Sequence, residues 1–188
     1  MGRRQAEALA RALGDAPIDA VYSSDLARAR ASAAPLAAAR RVRPVLLPAL
    51  REMALGRWEG WTFDEMQARE PEVVGLWLAD PAAFVYPEGE GLEELRRRAL
   101  PVLAAVVARH RGQRIAIVAH GGTNRVILGE ALGVPLGEIL RIGQDYGAWS
   151  LVEYGPDAAV VHAVNQGVDV ADASPAGTAV RTRASDAP

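Results

Sequence analysis

The sequence predicts an α/β fold, a three-layer sandwich built on a mostly parallel central sheet. Three observations carry that prediction. Short apolar runs at residues 18–22 and 114–119 have the length and composition of strands, the second with both faces covered. Stretches with apolar residues at helical spacing separate them, the alternation expected when crossover helices cover a parallel sheet. Glycine, proline and aspartate punctuate the junctions, as in Gly14-Asp15-Ala16-Pro17.

Taken in order, residues 5–13 form a first helix that ends at that turn, before the strand at 18–22. Ser23 and Ser24 stand where they can cap a helix over residues 25–39. Residues 44–47 are extended and lead into Leu50-Arg51-Glu52-Met53. Between Trp58 and Tyr86 lie Trp58, Trp61, Phe63, Trp77, Phe84 and Tyr86, six of the ten aromatic residues. This stretch reads as an insert with its own small core, of the kind that roofs a pocket. A long helix covers residues 90–110, the second apolar strand follows, and residues 124–132 form an amphipathic helix. Residues 149–154 and 159–164, joined through Gly155-Pro156-Asp157, form a hairpin near the end of the sheet. From residue 167 onward the chain is mostly Ala, Ser, Thr, Asp, Gly and Pro, so a disordered tail is expected over 167–188 and one domain over 1–166.

Composition removes several classes of chemistry. The net charge of -2, with arginines interspersed among acids, gives no electrostatic reason to expect nucleic acid. No apolar run reaches the roughly 18 residues of a bilayer span, and the first residues read as an amphipathic helix instead of a signal peptide, so no membrane partner and a cytoplasmic location are expected. With no cysteine and three scattered histidines, thiolate catalysis and a metal site are not expected, nor is a cofactor. All 21 basic residues are arginine, which excludes a lysine Schiff base and a Walker-type loop. Any phosphate must be held by arginine, whose planar fork suits phosphate oxygens.

The candidate site centres on Ala119-His120-Gly121-Gly122. His120 ends a strand and opens a helix, at the carboxyl end of the sheet where parallel α/β folds place ligands. The amides at that helix start, beginning with Gly121, are expected to bind an anion, with phosphate the natural candidate. Arg28, in the Ser23-Ser24-Asp25-Leu26-Ala27-Arg28 turn, and Glu52 fall at strand ends of the same kind. By position alone Arg28 and Glu52 read equally as solvated surface residues. With His120 they make an arginine, a carboxylate and an imidazole that fit phosphoryl transfer. His110, at a helix end, and His162, in the hairpin, read as structural.

Four spaced motifs then identify a family. Ser23-Ser24-Asp25-Leu26-Ala27-Arg28-Ala29, Leu50-Arg51-Glu52-Met53 with Gly56-Arg57-Trp58-Glu59-Gly60, Pro87-Glu88-Gly89-Glu90, and Ala119-His120-Gly121-Gly122 occur in an order that resembles the histidine phosphatase (phosphoglycerate mutase-like) superfamily, its short phosphatase-type members above all. The resemblance implies a phosphomonoester hydrolase acting on a small phosphorylated metabolite through a phosphohistidine. A phosphoglycerate mutase-like phosphotransferase is the related alternative. It further implies that His120 and Arg28 bind phosphate together with Gly121, and that His120 and Glu52 are catalytic, Glu52 as the proton donor.

One part of the family pattern is not in this sequence. The nucleophilic histidine and first arginine of the family lie in an Arg-His-Gly motif at the end of a first strand, and Ala108-Arg109-His110-Arg111-Gly112 is only a superficial echo of it. The expectation is therefore a truncated member, either a longer natural product or a degraded copy that binds phosphate without turnover. The missing strand is expected to lie centrally, between the strand ending near Tyr22 and the one ending at His120. At about 4.8 Å per strand that leaves a gap near 9.6 Å and an uncovered core. Such an unpaired sheet would make oligomers possible.

Overall fold

Three short strands, β1 (Ala20–Ser23), β2 (Val45–Leu46) and β3 (Ile115–Val118), form an all-parallel sheet in the order β2-β1-β3 in the computed structural model, which describes residues 2–168. The tail expectation falls almost wholly outside the described residues. Helices α1 (Gly2–Ala12) and α2 (Ala27–Ala39) cover one face of the sheet. Their Ala10, Ala33, Leu36 and Ala37 pack with Val21 of β1, and Ala116 and Val118 of β3 lie against the same cluster. The small alanines of α2 let the helix lie close on the β-branched strand residues. Tyr22, which points to the other face by the period-two alternation of a strand, reaches His110 just past α5 (Leu92–Arg109), the long helix on that side.

Helices α5 and α6 (Gly121–Leu132) build a second core. Leu92 and Leu95 of α5 pack with Val126 and Leu128 of α6, with Ile139 of a 3-10 segment, Leu136–Arg141, that the sequence reading left unassigned, and with Ile142 just after it. Val152 of β4 (Trp149–Tyr154) and Val164 of β5 (Ala159–Gln166) close this cluster. The hairpin forms at the expected place, yet it is an antiparallel pair of its own and not a continuation of the parallel sheet.

The expected position of the gap is corrected by strand pairing. β1 and β3 hydrogen-bond to each other directly, with Ala20, Val21, Tyr22 and Ser23 opposite Ile115, Ala116, Ile117 and Val118. No strand is missing between them. Asp19 and Ser24 extend the ladder, donating to the carbonyls of Arg114 and Val118 at 2.7 and 3.2 Å. Among the described residues β3 pairs only with β1, so its other edge is the one that stays unpaired. That also explains why Ile115 to Val118 are half-buried, where a strand with both faces covered was expected.

The insert is a small lobe with its own core, as its aromatic content predicts. It carries α3 (Phe63–Arg69), opened by a Thr62–Glu65 capping box, and α4 (Pro71–Ala79). Trp58 and Val74 are fully buried beside Tyr86, and Trp58 meets Phe84, Tyr86 and Trp77 at centroid distances of 5.8, 5.5 and 6.3 Å. The indole N–H of Trp58 donates to Glu70 at 2.8 Å, which satisfies the only polar atom of that buried ring. The lobe joins the domain through two loops that cross with backbone in contact. A Cβ on Gly56, which also has φ +54°, would stand 2.1 Å from the Pro87 carbonyl oxygen, and one on Gly89 2.3 Å from that of Ala54. Only glycine permits that crossing.

Leu95 is fully buried at the junction of α5 and α6. Leu95→Ala should cost about 2–5 kcal/mol, read as a shift in the urea midpoint at unchanged slope. A cost below about 1 kcal/mol would contradict the packing described.

Candidate functional site

His120 is the residue before the first turn of α6, in extended backbone (φ -134°, ψ 167°), and is 8% exposed. Both ring nitrogens are engaged. Arg28 Nε donates to Nδ1 at 3.2 Å, and Ser24 Oγ lies 2.7 Å from Nε2. A guanidinium only donates, so Nδ1 is the unprotonated nitrogen and the neutral ring carries its proton on Nε2, directed at Ser24 Oγ. Ser24 Oγ also accepts from the Leu26 amide at 3.2 Å. The residue that caps α2 is Leu26, with no side-chain bond to the helix amides, so the serine expected as a cap instead closes the turn ahead of α2 and meets the imidazole.

Glu52 follows the 3-10 turn Pro48–Leu50. Its Oε2 accepts from the Gly122 amide at 3.1 Å, and its Oε1 from the Thr123 amide at 3.3 Å and the Met53 amide at 3.0 Å. Two of the amides that the sequence reading assigned to an external anion are therefore held by a carboxylate of the chain itself. The reason is the one that suggested an anion there: unpaired N–H groups and the positive end of the helix attract negative charge. A Cβ on Gly122 would stand 2.5 Å from Glu52 Oε1, so any other residue there would push the carboxylate out of this position. Gly121, the first residue of α6, adjoins the same carboxylate, with Oε2 3.8 Å from where its Cβ would be.

The structure thus brings Arg28, His120 and Glu52, from three separate stretches of chain, around one helix start. An exposed ion pair between Asp25 and Arg51 ties the turn that carries Arg28 to the loop that carries Glu52, and the Arg51 guanidinium holds the Asp25 carboxyl below its ordinary range. Among the described residues no carboxylate pairs with Arg28, which leaves its terminal nitrogens available to an anion. A cleft of about 490 Å³ opens on Glu52, lined by Pro48, Arg51, Ala54, Glu88, Glu90 and Arg98 among others. None of its lining residues comes from the aromatic lobe between Trp58 and Tyr86.

The other two histidines stay apart from this constellation. His110 precedes β3 where His120 follows it, and its ring is held by Tyr22 Oη at 2.7 Å and Gln113 at 2.6 Å. His162 on β5 pairs with Glu153 at 2.8 Å. Arg125, next to the site on α6, donates to the Ile142 carbonyl at 2.9 Å and, among the described residues, to no acid. Among the described residues no group of three His, Asp or Glu side chains could hold a metal ion. Ser24, Glu90 and Arg98 are the polar residues around the site whose part sequence reasoning missed. Ser24 and Glu90 stood inside quoted motifs, and Arg98 sits in the triple arginine of a helix whose pattern marks none of the three.

Burial pushes the His120 imidazole below its ordinary value near 6.5; Glu52 opposes that shift and the charges of Arg28 and Arg98 add to it. A base with a lowered folded value is protonated first in the unfolded chain, so stability declines as pH falls from about 6.5 toward the folded value. Between pH 7.5 and 5.5 the protein should therefore lose more unfolding free energy than His120→Gln, measured by urea denaturation at each pH. An identical pH profile in the two proteins would contradict the assignment.

Comparison with known proteins gives a consistent answer. The Histidine phosphatase superfamily (branch 1) matches residues 1–167. Phosphoserine phosphatase 1 of Hydrogenobacter thermophilus is 28% identical over 151 residues, 80% of this chain and 72% of that protein. The adenosylcobalamin/alpha-ribazole phosphatase of Salmonella typhimurium is 29% identical over 164 residues, covering 87% and 81% of the two chains. Among solved structures, Bacillus stearothermophilus YhfR superposes with a TM-score of 0.81 at 25% identity over 89% of this chain and 83% of that one. A mycobacterial glucosyl-3-phosphoglycerate phosphatase in complex with inorganic phosphate gives 0.79 at 25% identity, over 88% and 85%. With the family matched along almost the whole of the described chain and the same fold in its solved relatives, this protein belongs to the histidine phosphatase superfamily.

Proposed function

We propose that this chain carries the phosphate-binding and proton-transfer half of a phosphomonoesterase acting on a small phosphorylated metabolite. The observation that carries the reading is the meeting of Arg28, His120 and Glu52 at the start of α6. In the reaction, the P–O ester bond breaks as an N–P bond forms on an attacking imidazole. The electron pair leaves on the ester oxygen, which takes a proton from Glu52. Water then attacks the phosphohistidine with Glu52 accepting its proton, and inorganic phosphate departs. The terminal nitrogens of Arg28 neutralise charge on the phosphoryl oxygens, the Gly121 amide is a further donor, and His120 joins them once its Nε2–H turns from Ser24 Oγ to the phosphate.

The attacking imidazole is none of the three histidines of this sequence, because His110 and His162 are engaged elsewhere and His120 has both ring nitrogens taken by Arg28 and Ser24. The edge of β3 that stays unpaired among the described residues, two residues before His120, is where a strand carrying it would lie. The same fact supports a second reading, phosphate binding without turnover, and the two differ in whether any natural form of the protein hydrolyses esters. Relatives named as phosphatases of phosphoserine, alpha-ribazole and glucosyl-3-phosphoglycerate support a small phosphomonoester as substrate.

Titration calorimetry of the 188-residue chain should detect orthovanadate or inorganic phosphate, with affinity weakened at least about tenfold, or about 1.4 kcal/mol, in Arg28→Ala. Unchanged affinity in that variant, or hydrolysis of p-nitrophenyl phosphate by the 188-residue chain itself, would overturn the proposal. In a form that turns over, Glu52→Gln should slow an alkyl phosphate at least about tenfold more than p-nitrophenyl phosphate, whose leaving group needs little protonation. Equal slowing of both esters would remove Glu52 from the role of proton donor.

A further inference from the structure

Arg98, in the second turn of α5, spends every donor it has. Nε and one terminal nitrogen bind Glu90 at 2.7 and 2.8 Å. The remaining three N–H groups reach the carbonyls of Ala49 at 2.7 Å, Arg51 at 2.9 Å and Glu52 at 3.0 Å. A guanidinium has five N–H donors in a fixed fork, so the set is complete. Glu90 closes the other side of the same loop. Its Oε2 accepts from the Ala54 amide at 3.0 Å, while its own amide donates to the Ala54 carbonyl at 2.8 Å. The Arg51 carbonyl also accepts from Thr123 Oγ1 at 2.8 Å, which joins the loop to α6.

We propose that Arg98 and Glu90 are positioning residues: as a unit they fix the backbone of residues 49–54 on both sides of Glu52 and so set its carboxylate at the start of α6. This rests on the reading of Glu52 as the proton donor. The clamp differs in kind from the other ion pairs of the same helix. Arg96 and Arg97 pair with Glu93 at side-chain exposures of 45% and 68%, where such pairs contribute little. Arg98 and Glu90 are 24% and 25% exposed, and three of the five bonds go to main-chain oxygens of the loop. Lysine cannot replace this arginine, because an ammonium has three donors and no fork. Burial raises the Glu90 carboxyl, but the Arg98 guanidinium, the dominant influence, holds it below its ordinary range, so Glu90 stays charged at neutral pH.

The Gly122 and Thr123 amides report the carboxylate directly, since each donates to Glu52. In amide NMR of the 188-residue chain, Glu52→Ala should shift both signals and speed exchange of the Gly122 proton at least about tenfold. Arg98→Met and Arg98→Lys should reproduce that shift and that gain, as should the milder Glu90→Gln, while the amides of α2 stay protected. Leu103→Ala, which weakens the same helix two turns further along and touches neither the clamp nor Gly122, should leave the Gly122 signal in place. Wild-type Gly122 shift and exchange in folded Arg98→Met or Glu90→Gln would overturn the proposal, as would a Leu103→Ala protein that showed the same shift and gain as those two variants. Failure of the proton-donor reading shows elsewhere, in equal slowing of alkyl and p-nitrophenyl esters by Glu52→Gln.

Discussion

Everything at this site depends on the grip of one helix start on one carboxylate. The first turn of α6 presents amides that no helix carbonyl can reach, and Glu52 fills two of them. That contact joins a loop after β2 to the end of β3, elements separated by some seventy residues of chain. It also fixes where His120 stands relative to the acid, because His120 is the residue on which α6 begins. With the carboxylate on one side and Arg28 on the other, the imidazole lies between opposite charges, and burial decides its neutral state.

The parallel sheet supports this arrangement from below. β1 delivers Ser24 and the turn to Arg28, β2 leads to Glu52, and β3 delivers His120, so all three site segments leave the same end of one sheet. Parallel pairing makes that possible, since neighbouring strands then end side by side. One aliphatic cluster holds α2 against the sheet and a second holds α6 against α5 and the hairpin, which sets where Arg28 and His120 meet.

Much of this was legible in the residues. The period of the apolar positions located every α-helix of the central layers to within a few residues, and the aromatic density between Trp58 and Tyr86 announced a lobe with a separate core. Strand order was another matter. Nothing in the run from Ile115 to Val118 says which neighbour it takes, because an apolar strand serves equally at the centre or at the edge of a parallel sheet. Hence the misplaced gap beside β1, and the hairpin expected on a sheet it does not join. In the site, His120 stood out because strand, histidine and paired glycines form one continuous signal. Arg98 did not, since a guanidinium that bonds to carbonyls leaves no trace in composition or spacing. The helix-start amides were correctly read as seeking negative charge, but a sequence does not say whether that charge comes from a ligand or from a distant glutamate.

The crossing of the two loops at Gly56 and Gly89 brings both ends of the aromatic lobe together at its base. Met53, the residue after Glu52, packs against the lobe core and against the α5–α6 core alike. A substitution that repacks the lobe is therefore transmitted to the neighbour of the site carboxylate, although no lobe side chain lines the cleft that opens on Glu52.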